Sequence, residues 1–401
     1  MKIAIFTLGC RLNFAESEEM IDKFLKAGHK ISFREPNVCL IRGCSLTQKA
    51  EKETRQKVRE IRKKFKNSFI IATGCLLKNF SLQEADLVLS KKDEDLIFRK
   101  INRQSSKIYP TRLRTRSFIK IQDGCQKFCA YCLVPYLRGK EITKSSKEII
   151  DKIKEKERNG YQEIVLTGVN ISQWKEGSRS KNFVWLIKEI LEKTRIKRIR
   201  LSSLWPDKID ERLISLFKDS RLCQHLHLSL QSLSDSVLKR MGRDYQVKDI
   251  KKKIKKIKKI FPELSLTADI MVGFPGETEK EFQETFKNLK EIKLSKIHVF
   301  RYSARPKTKA ALIKNQVEEK IKKKRAKVLL RLSKNLEKNW QKRFLGKIKN
   351  VLFEQKRKNF WQGLTDNYLK IFVKSRQNLA NQILSVKLKK IYKNGILGCL
   401  R

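Results

Sequence analysis

The chain has 401 residues and a formal net charge of +52, with 94 Lys and Arg against 42 Asp and Glu. Apolar residues make up 40% and there are five Trp, which excludes a disordered chain, and no apolar run approaches the roughly 18 residues that span a membrane. Nine cysteines without an export signal point to reduced thiols, metal or catalysis rather than disulfides, and to a cytoplasmic protein.

The N-terminal "KIAIFTLGC" feeds into acidic "ESEEM" with no small-residue cleavage site, and reads as a buried strand. Further apolar runs at Val38–Ile41, Phe69–Ala72 and Leu87–Leu89 alternate with helical patterns over Glu16–Ala27 and Thr47–Phe65. That alternation predicts a parallel sheet with crossover helices. The basic stretch "NRQSSKIYPTRLRTR" lacks periodicity and reads as a linker. Six more strands follow, at Phe118–Gln122, Glu163–Thr167, Arg198–Ser202, His225–Gln231, Leu264–Val272 and Lys296–Tyr302. Helical patterns separate most of them. One is "SSKEIIDKIKEKERNG", with a capping box at Ser145 and Glu148 and a stop at Gly160. Six β–α repeats predict a partial (β/α)6 barrel, with its chemistry at the C-terminal ends of the strands.

From about residue 337 five short β runs take over, which predicts a small closed barrel of the oligonucleotide-binding kind. Phe353, Phe360, Trp361 and Phe372 are its candidate core or base-stacking aromatics. Excess positive charge attracts polyanions, chiefly nucleic acid. Part of it is ordinary helix surface: in "KDIKKKIKKIKKIF", Ile250, Ile254, Ile257 and Phe261 recur at helical spacing and lysines fill the outer face.

The stretch "DGCQKFCAYC" sets Cys125, Cys129 and Cys132 within eight residues and offers no fourth ligand nearby. A structural zinc site normally takes four ligands. Three thiolates on a [4Fe-4S] cluster leave one iron open to chelate the amine and carboxylate of S-adenosylmethionine. The C-x3-C-x2-C spacing resembles the radical-SAM signature, with Tyr131 placed to pack beside adenine. Cys10, Cys44 and Cys75 each follow a glycine at a strand end, and in a parallel sheet such ends share one edge. Cys39, Cys223 and Cys399 read as packing. In "HLHLSLQS", His225, His227, Ser229 and Gln231 share one face, the polar lining of a cofactor pocket rather than a packed core.

Over nearly its whole length the chain resembles the radical-SAM methylthiotransferases. The matching segments include "TLGCRLNFAESE", "GCSLTQKAE", "TGCLLK", "FIKIQDGCQKFCAYCLVPYLRG", "EIVLTGVN", "LHLSLQSLSDSVLKRMGRDY", "DIMVGFPGETEKEF" and "HVFRYSARP". The resemblance implies an α/β chain of three parts. These are a Rossmann-like N-terminal methylthiotransferase domain (1–105), a radical-SAM core (111–335) and an RNA-gripping all-β TRAM barrel (337–401). It implies two [4Fe-4S] clusters: an auxiliary one on Cys10, Cys44 and Cys75, and one on Cys125, Cys129 and Cys132 that cleaves S-adenosylmethionine. Motif position assigns Tyr131, Gly168, Gln231 and Arg243 to cofactor contacts. "TLGCRLN" and "HVFRYS" are most similar to the branch that modifies N6-threonylcarbamoyladenosine beside the tRNA anticodon. The isopentenyladenosine and ribosomal-protein branches are alternatives.

The implied partners are the anticodon stem-loop of tRNA and a reductant of the flavodoxin or ferredoxin type, with no membrane. The family's pattern is broken at Arg42 and Gly43 (usually Asn-Thr), Trp205 (usually acidic), Ser229 and Arg301 (usually Pro) and Leu233 (usually Gly). A non-enzymatic, metal-stabilised RNA-binding protein is the reading from a different class. It leaves the six β–α repeats and the open three-cysteine site unexplained.

Overall fold

Parallel β–α alternation orders the N-terminal part of the chain, as its periodicity predicts. The computed structural model describes residues 1–76, 82–101, 115–177 and 180–401. Residues 102–114 of the expected linker lie outside the described residues. Strands Lys30–Ile31, Lys2–Thr7, Val38–Cys44, Phe69–Cys75 and Leu87–Val88 form one parallel sheet in that order. The central strand Val38–Cys44 is buried along its whole length, as a strand covered on both faces must be. Helix Arg11–Lys26 starts immediately after Cys10, five residues earlier than the apolar pattern indicated. Its first turns bury Asn13, Glu16 and Ser17 beside Leu12 and Ala15, so the apolar stripe there is interrupted by polar residues.

The six strands of the second part are Arg116–Lys120, Glu163–Thr167, Arg198–Leu201, His225–Gln231, Ser265–Val272 and Lys296–Arg301. They run parallel and in chain order in two hydrogen-bonded groups. Strand Ser203–Leu204, which follows Arg198–Leu201 almost directly and pairs with His225–Gln231, links the groups into an open arc. Leu226, Leu228 and Leu230 pack outward into the Ile/Leu core under the helices. That leaves the alternate residues of the same strand facing the concave side. Helix Val247–Ile260 buries Ile250, Ile254 and Ile257 and points its lysines outward. Ser145 accepts the Glu148 amide, but the reciprocal half of the expected capping box is missing: the Glu148 carboxylate takes Lys144 Nζ at 2.7 Å.

Helix Glu319–Lys342 runs straight across residues 335–337, where the composition changes, and the third part begins its strands at Ile348. Five strands close into a barrel there. Phe353, Trp361 and Phe372 are buried, and Phe360 lies against the Phe372 and Tyr392 rings. The barrel is fastened to the arc by two buried arginines of strand Arg198–Leu201. Arg198 donates to the carbonyls of Leu364 and Asn350, at 3.0 and 2.8 Å. Arg200 donates to Asp366 and Thr365, at 2.9 and 3.2 Å, while its Nε holds Glu163 at 2.8 Å.

Removing one member of a fully buried ion pair leaves the other charge desolvated and alone. Arg200→Ala should therefore lower the unfolding free energy by about 3–5 kcal/mol. Urea denaturation followed by tryptophan fluorescence checks this; a loss below about 1 kcal/mol, the scale of an exposed pair, contradicts it.

Candidate active site

Three glycine–cysteine pairs close one corner of the first sheet. Cys44 and Cys75 are register partners on adjacent parallel strands, and Cys10 follows the strand on the other side of Val38–Cys44. A side chain on Gly9 would come within 3.1 Å of Cys44 Cβ, so only glycine lets the Cys10 turn approach this closely. Burial pushes the Cys44 thiol up to about 11 and the Cys75 thiol up to about 12, and the neighbouring thiols add to both shifts.

A single guanidinium reaches this corner from the other cysteine set. Helix Val134–Arg138 follows directly on Cys132, and Arg138 at its end is almost wholly buried. Its Nε donates to Cys75 Sγ at 3.2 Å. Nη1 donates to Glu16 and Asp123 at 2.9 and 2.8 Å, and Nη2 to Asn13 and Glu16 at 3.3 and 3.2 Å. All five of its N–H groups are engaged. Glu16 in turn meets Arg42, Lys91 and Lys120 at 3.3, 2.8 and 3.3 Å. Burial opposes its ionisation, but Arg138 and Arg42 hold its carboxyl well below the usual carboxylate range.

The second cysteine set lies in the loop after strand Arg116–Lys120. Cys132 N–H donates to Cys129 O at 2.9 Å and Cys125 N–H to Gly139 O at 3.2 Å, which curls the loop on itself. Burial raises the Cys125 thiol and takes Cys132 to about 12. Tyr131 and Arg243 meet beside it, Nη2 to phenol oxygen at 2.6 Å. Trp205, at the position where an acidic residue is expected, lays its ring 4.1 Å from the Arg243 guanidinium carbon.

Beside the first set lies a cavity of about 500 Å³. Cys10, Cys75, Arg11 and Arg138 line one side, Thr167, Gly168, Ser202 and Ser203 the strand ends, and His225, His227, Thr267 and His298 the far wall. Thr267 Oγ1 bridges His225 Nε2 and His227 Nδ1, at 3.0 and 2.8 Å. The closing side chain comes from the C-terminal barrel: Tyr368 stacks on His225 with ring centroids 4.5 Å apart.

Residues 119–289 match the radical SAM superfamily, and residues 2–98 match the uncharacterized protein family UPF0004. Threonylcarbamoyladenosine tRNA methylthiotransferase MtaB of Thermotoga maritima is 34% identical, covering 99% of this chain and 96% of its own length. Its Bacillus subtilis counterpart is 32% identical over 97% and 94%. The chain belongs to the radical-SAM methylthiotransferase family. The tRNA-2-methylthio-N(6)-dimethylallyladenosine synthase of Endomicrobium trichonymphae is 30% identical over 99% of each chain. A radical S-adenosylmethionine methyltransferase, TsrM from Kitasatospora setae, solved with cobalamin and a [4Fe-4S] cluster, shares the fold: TM-score 0.54 at 12% identity, over 78% of this chain and 77% of that one.

As a radical-SAM methylthiotransferase the chain is an enzyme that uses S-adenosylmethionine and [4Fe-4S] clusters, which sets aside the binding-protein reading. The residues present fit those groups. Both sets offer soft sulfur donors. All six of these cysteines are free thiols. Gln231 Oε1 and the Nε and Nη1 of Arg243 are buried without a partner, as groups awaiting a polar ligand are. Gln231 also has φ +67°, a conformation that is costly for a residue with a side chain.

Of the expected cofactor residues, Gly168 lines the central cavity, whereas Tyr131, Gln231 and Arg243 lie outside its lining. Reading the sequence singled out none of Arg11, Glu16, Arg138, Thr267, His298 or Tyr368. Arg138 and Glu16 stand inside matching segments, but nothing in their spacing marks them.

The departures from the family pattern are accommodated locally. Buried Arg42 pairs with Glu94 at 2.5 Å, Leu233 is core, and Ser229 Oγ donates to Leu204 O at 3.1 Å. A side chain on Gly43 would strike Thr54, and Arg301 pairs with Glu319.

Cys129→Ala leaves its loop without a replacement thiolate, so 5′-deoxyadenosine formed with dithionite after anaerobic reconstitution should fall to background. Wild-type yield from the variant refutes this. Arg138→Met should destabilise the fold by about 1–3 kcal/mol, because Asn13 and Asp123 lose a buried donor while Glu16 keeps Arg42, Lys91 and Lys120; thermal unfolding of the metal-free protein reads the loss.

Proposed function

We propose that this enzyme adds a methylthio group to C2 of N6-threonylcarbamoyladenosine at position 37 of tRNA. The observation that carries the reading is the run of whole-length relatives at 32–34% identity that bear that activity in their names. The cavity is compatible with it: two arginines, three histidines and several hydroxyls suit a polar, charged N6 group, and Leu12, Phe14, Leu46, Phe118, Val134 and Val169 give the same cavity an apolar side.

In this reading Cys10, Cys44 and Cys75 hold the auxiliary [4Fe-4S] cluster, and Cys125, Cys129 and Cys132 hold the cluster that binds S-adenosylmethionine. When bound, these groups supply the 5′-deoxyadenosyl radical and the sulfur, chemistry that no side-chain base performs on an aromatic C–H. Arg138 holds Cys75 and its carboxylate neighbours in one orientation. Tyr131, Gly168, Gln231 and Arg243 hold the cofactor; Gly168 also packs closely on Gln122, whose backbone oxygen a Cβ there would approach to 2.7 Å. His225 stays neutral, since burial and then Arg200 push its pKa well below the usual value, and its stack with Tyr368 makes a flat wall for a base.

The domains are those of residues 1–105, 111–335 and 337–401, the last a TRAM module gripping the anticodon stem-loop. A flavodoxin- or ferredoxin-type protein supplies electrons. Among the described residues no helix is long and apolar enough to cross a membrane.

Incubating the reconstituted enzyme with tRNA carrying threonylcarbamoyladenosine, followed by nucleoside mass spectrometry, tests the reading. Product on dimethylallyl tRNA alone overturns it. The Cys10→Ala/Cys44→Ala/Cys75→Ala variant should still form 5′-deoxyadenosine but no methylthio-nucleoside. Its iron content should be roughly half that of the wild type, since each set accounts for one four-iron cluster. Methylthio product from that variant contradicts the two-cluster assignment.

A further inference from the structure

Of the side chains that line the central cavity, Arg11 and Arg138 carry permanent positive charge, and none is an Asp or Glu. Arg138 is neutralised by Glu16 and Asp123. Arg11 is not. Its Nη2 donates to the Tyr368 phenol at 3.1 Å, and among the described residues no Asp or Glu forms an ion pair with it. The histidines do not compete for an anion. His227 faces Asp269 at 3.1 Å, and burial holds His225 and His298 below their usual titration range, His298 at about 4. The cavity therefore presents one unmatched guanidinium, a planar fork shaped for a carboxylate or phosphate.

Two further features aim that fork. Arg11 is the residue after Cys10, so an anion held there lies beside the first cysteine set. Tyr368 braces it from the opposite side, from a turn of the C-terminal barrel held at φ +68°. The proposed substrate has the matching group. Threonine joined through its amine to a carbamoyl carbon keeps its carboxylate free, and a dimethylallyl chain has no charge at all.

Resting on the function proposed above, we infer that Arg11, braced by Tyr368, is the receptor for the carboxylate of the N6 side chain, and that it selects a threonylcarbamoyl over an uncharged substrate. The contact places the base: anchoring the far end of the N6 group fixes how the purine edge meets the sulfur-bearing corner.

A binding cycle tests this with two anticodon stem-loop RNAs, one bearing threonylcarbamoyladenosine at position 37 and one bearing its methyl ester, against full-length reconstituted wild type, Arg11→Gln and Arg11→Lys. Loss of a charge-assisted hydrogen bond corresponds to about ten- to a hundredfold in affinity. Wild type should bind the free acid tighter than the ester by that factor. Arg11→Gln should not distinguish the two, and Arg11→Lys should recover part of the preference.

Equal binding of acid and ester by wild type overturns the inference, as does undiminished preference in Arg11→Gln. If Arg11→Gln weakens both RNAs alike while wild type does not distinguish them, Arg11 serves a backbone phosphate, and the inference fails. Turnover of the free-acid RNA by wild type reports separately on the proposed function. A wild type that converts this RNA but ignores its charge refutes only the role of Arg11.

Discussion

The two cysteine-bearing parts of the chain are tied together through one buried carboxylate. Glu16, nearly inaccessible, gathers Arg42, Lys91, Lys120 and Arg138 from four separate segments. Taking so many charges out of water costs about as much as their attraction returns. What the arrangement yields is direction. With every N–H of Arg138 assigned, its Nε has one place to go, the sulfur of Cys75. The short helix behind it, and the loop carrying Cys125, Cys129 and Cys132, are then registered against the first sheet. A lysine has no planar fork and does not make that set of contacts at once.

Much of this was legible in the sequence wherever chemistry coincides with periodicity. Strands Glu163–Thr167 and His225–Gln231 were placed to the residue, because alternation and flanking turns agree there. Both cysteine sets stand out in the sequence because thiols are rare and each set has a pattern, tight spacing in one and a repeated Gly–Cys at strand ends in the other; the structure puts Cys44 and Cys75 in register on adjacent strands. The start of helix Arg11–Lys26 is hidden because polar Asn13, Glu16 and Ser17 are buried there alongside Leu12 and Ala15, which breaks up the apolar stripe. The third part showed its β character, yet helix Glu319–Lys342 hides its beginning, since lysine-rich helix and lysine-rich strand look alike in composition.

Tyr368 was the hardest to foresee. It lies in a turn, in a conformation unusual for a residue with a side chain, and its ring reaches His225 across 143 positions of sequence. No local pattern encodes such a meeting. It follows from the docking of the barrel onto Arg198 and Arg200, whose guanidiniums take up the carbonyls of Asn350 and of residues 364–366 just before Tyr368.

Because the barrel supplies a wall of the reaction chamber, it is not an interchangeable cassette. Grafting the equivalent barrel from a relative would replace Tyr368 together with whatever outer surface was intended. It would also have to present carbonyls to Arg198 and Arg200 at the same spacing. Chimaeras in this family are therefore better made by keeping Asn350 and residues 364–368 as they stand and exchanging only outward-facing residues of the barrel. Divergence of the barrel is likewise constrained on its inner turn and free on its outer face.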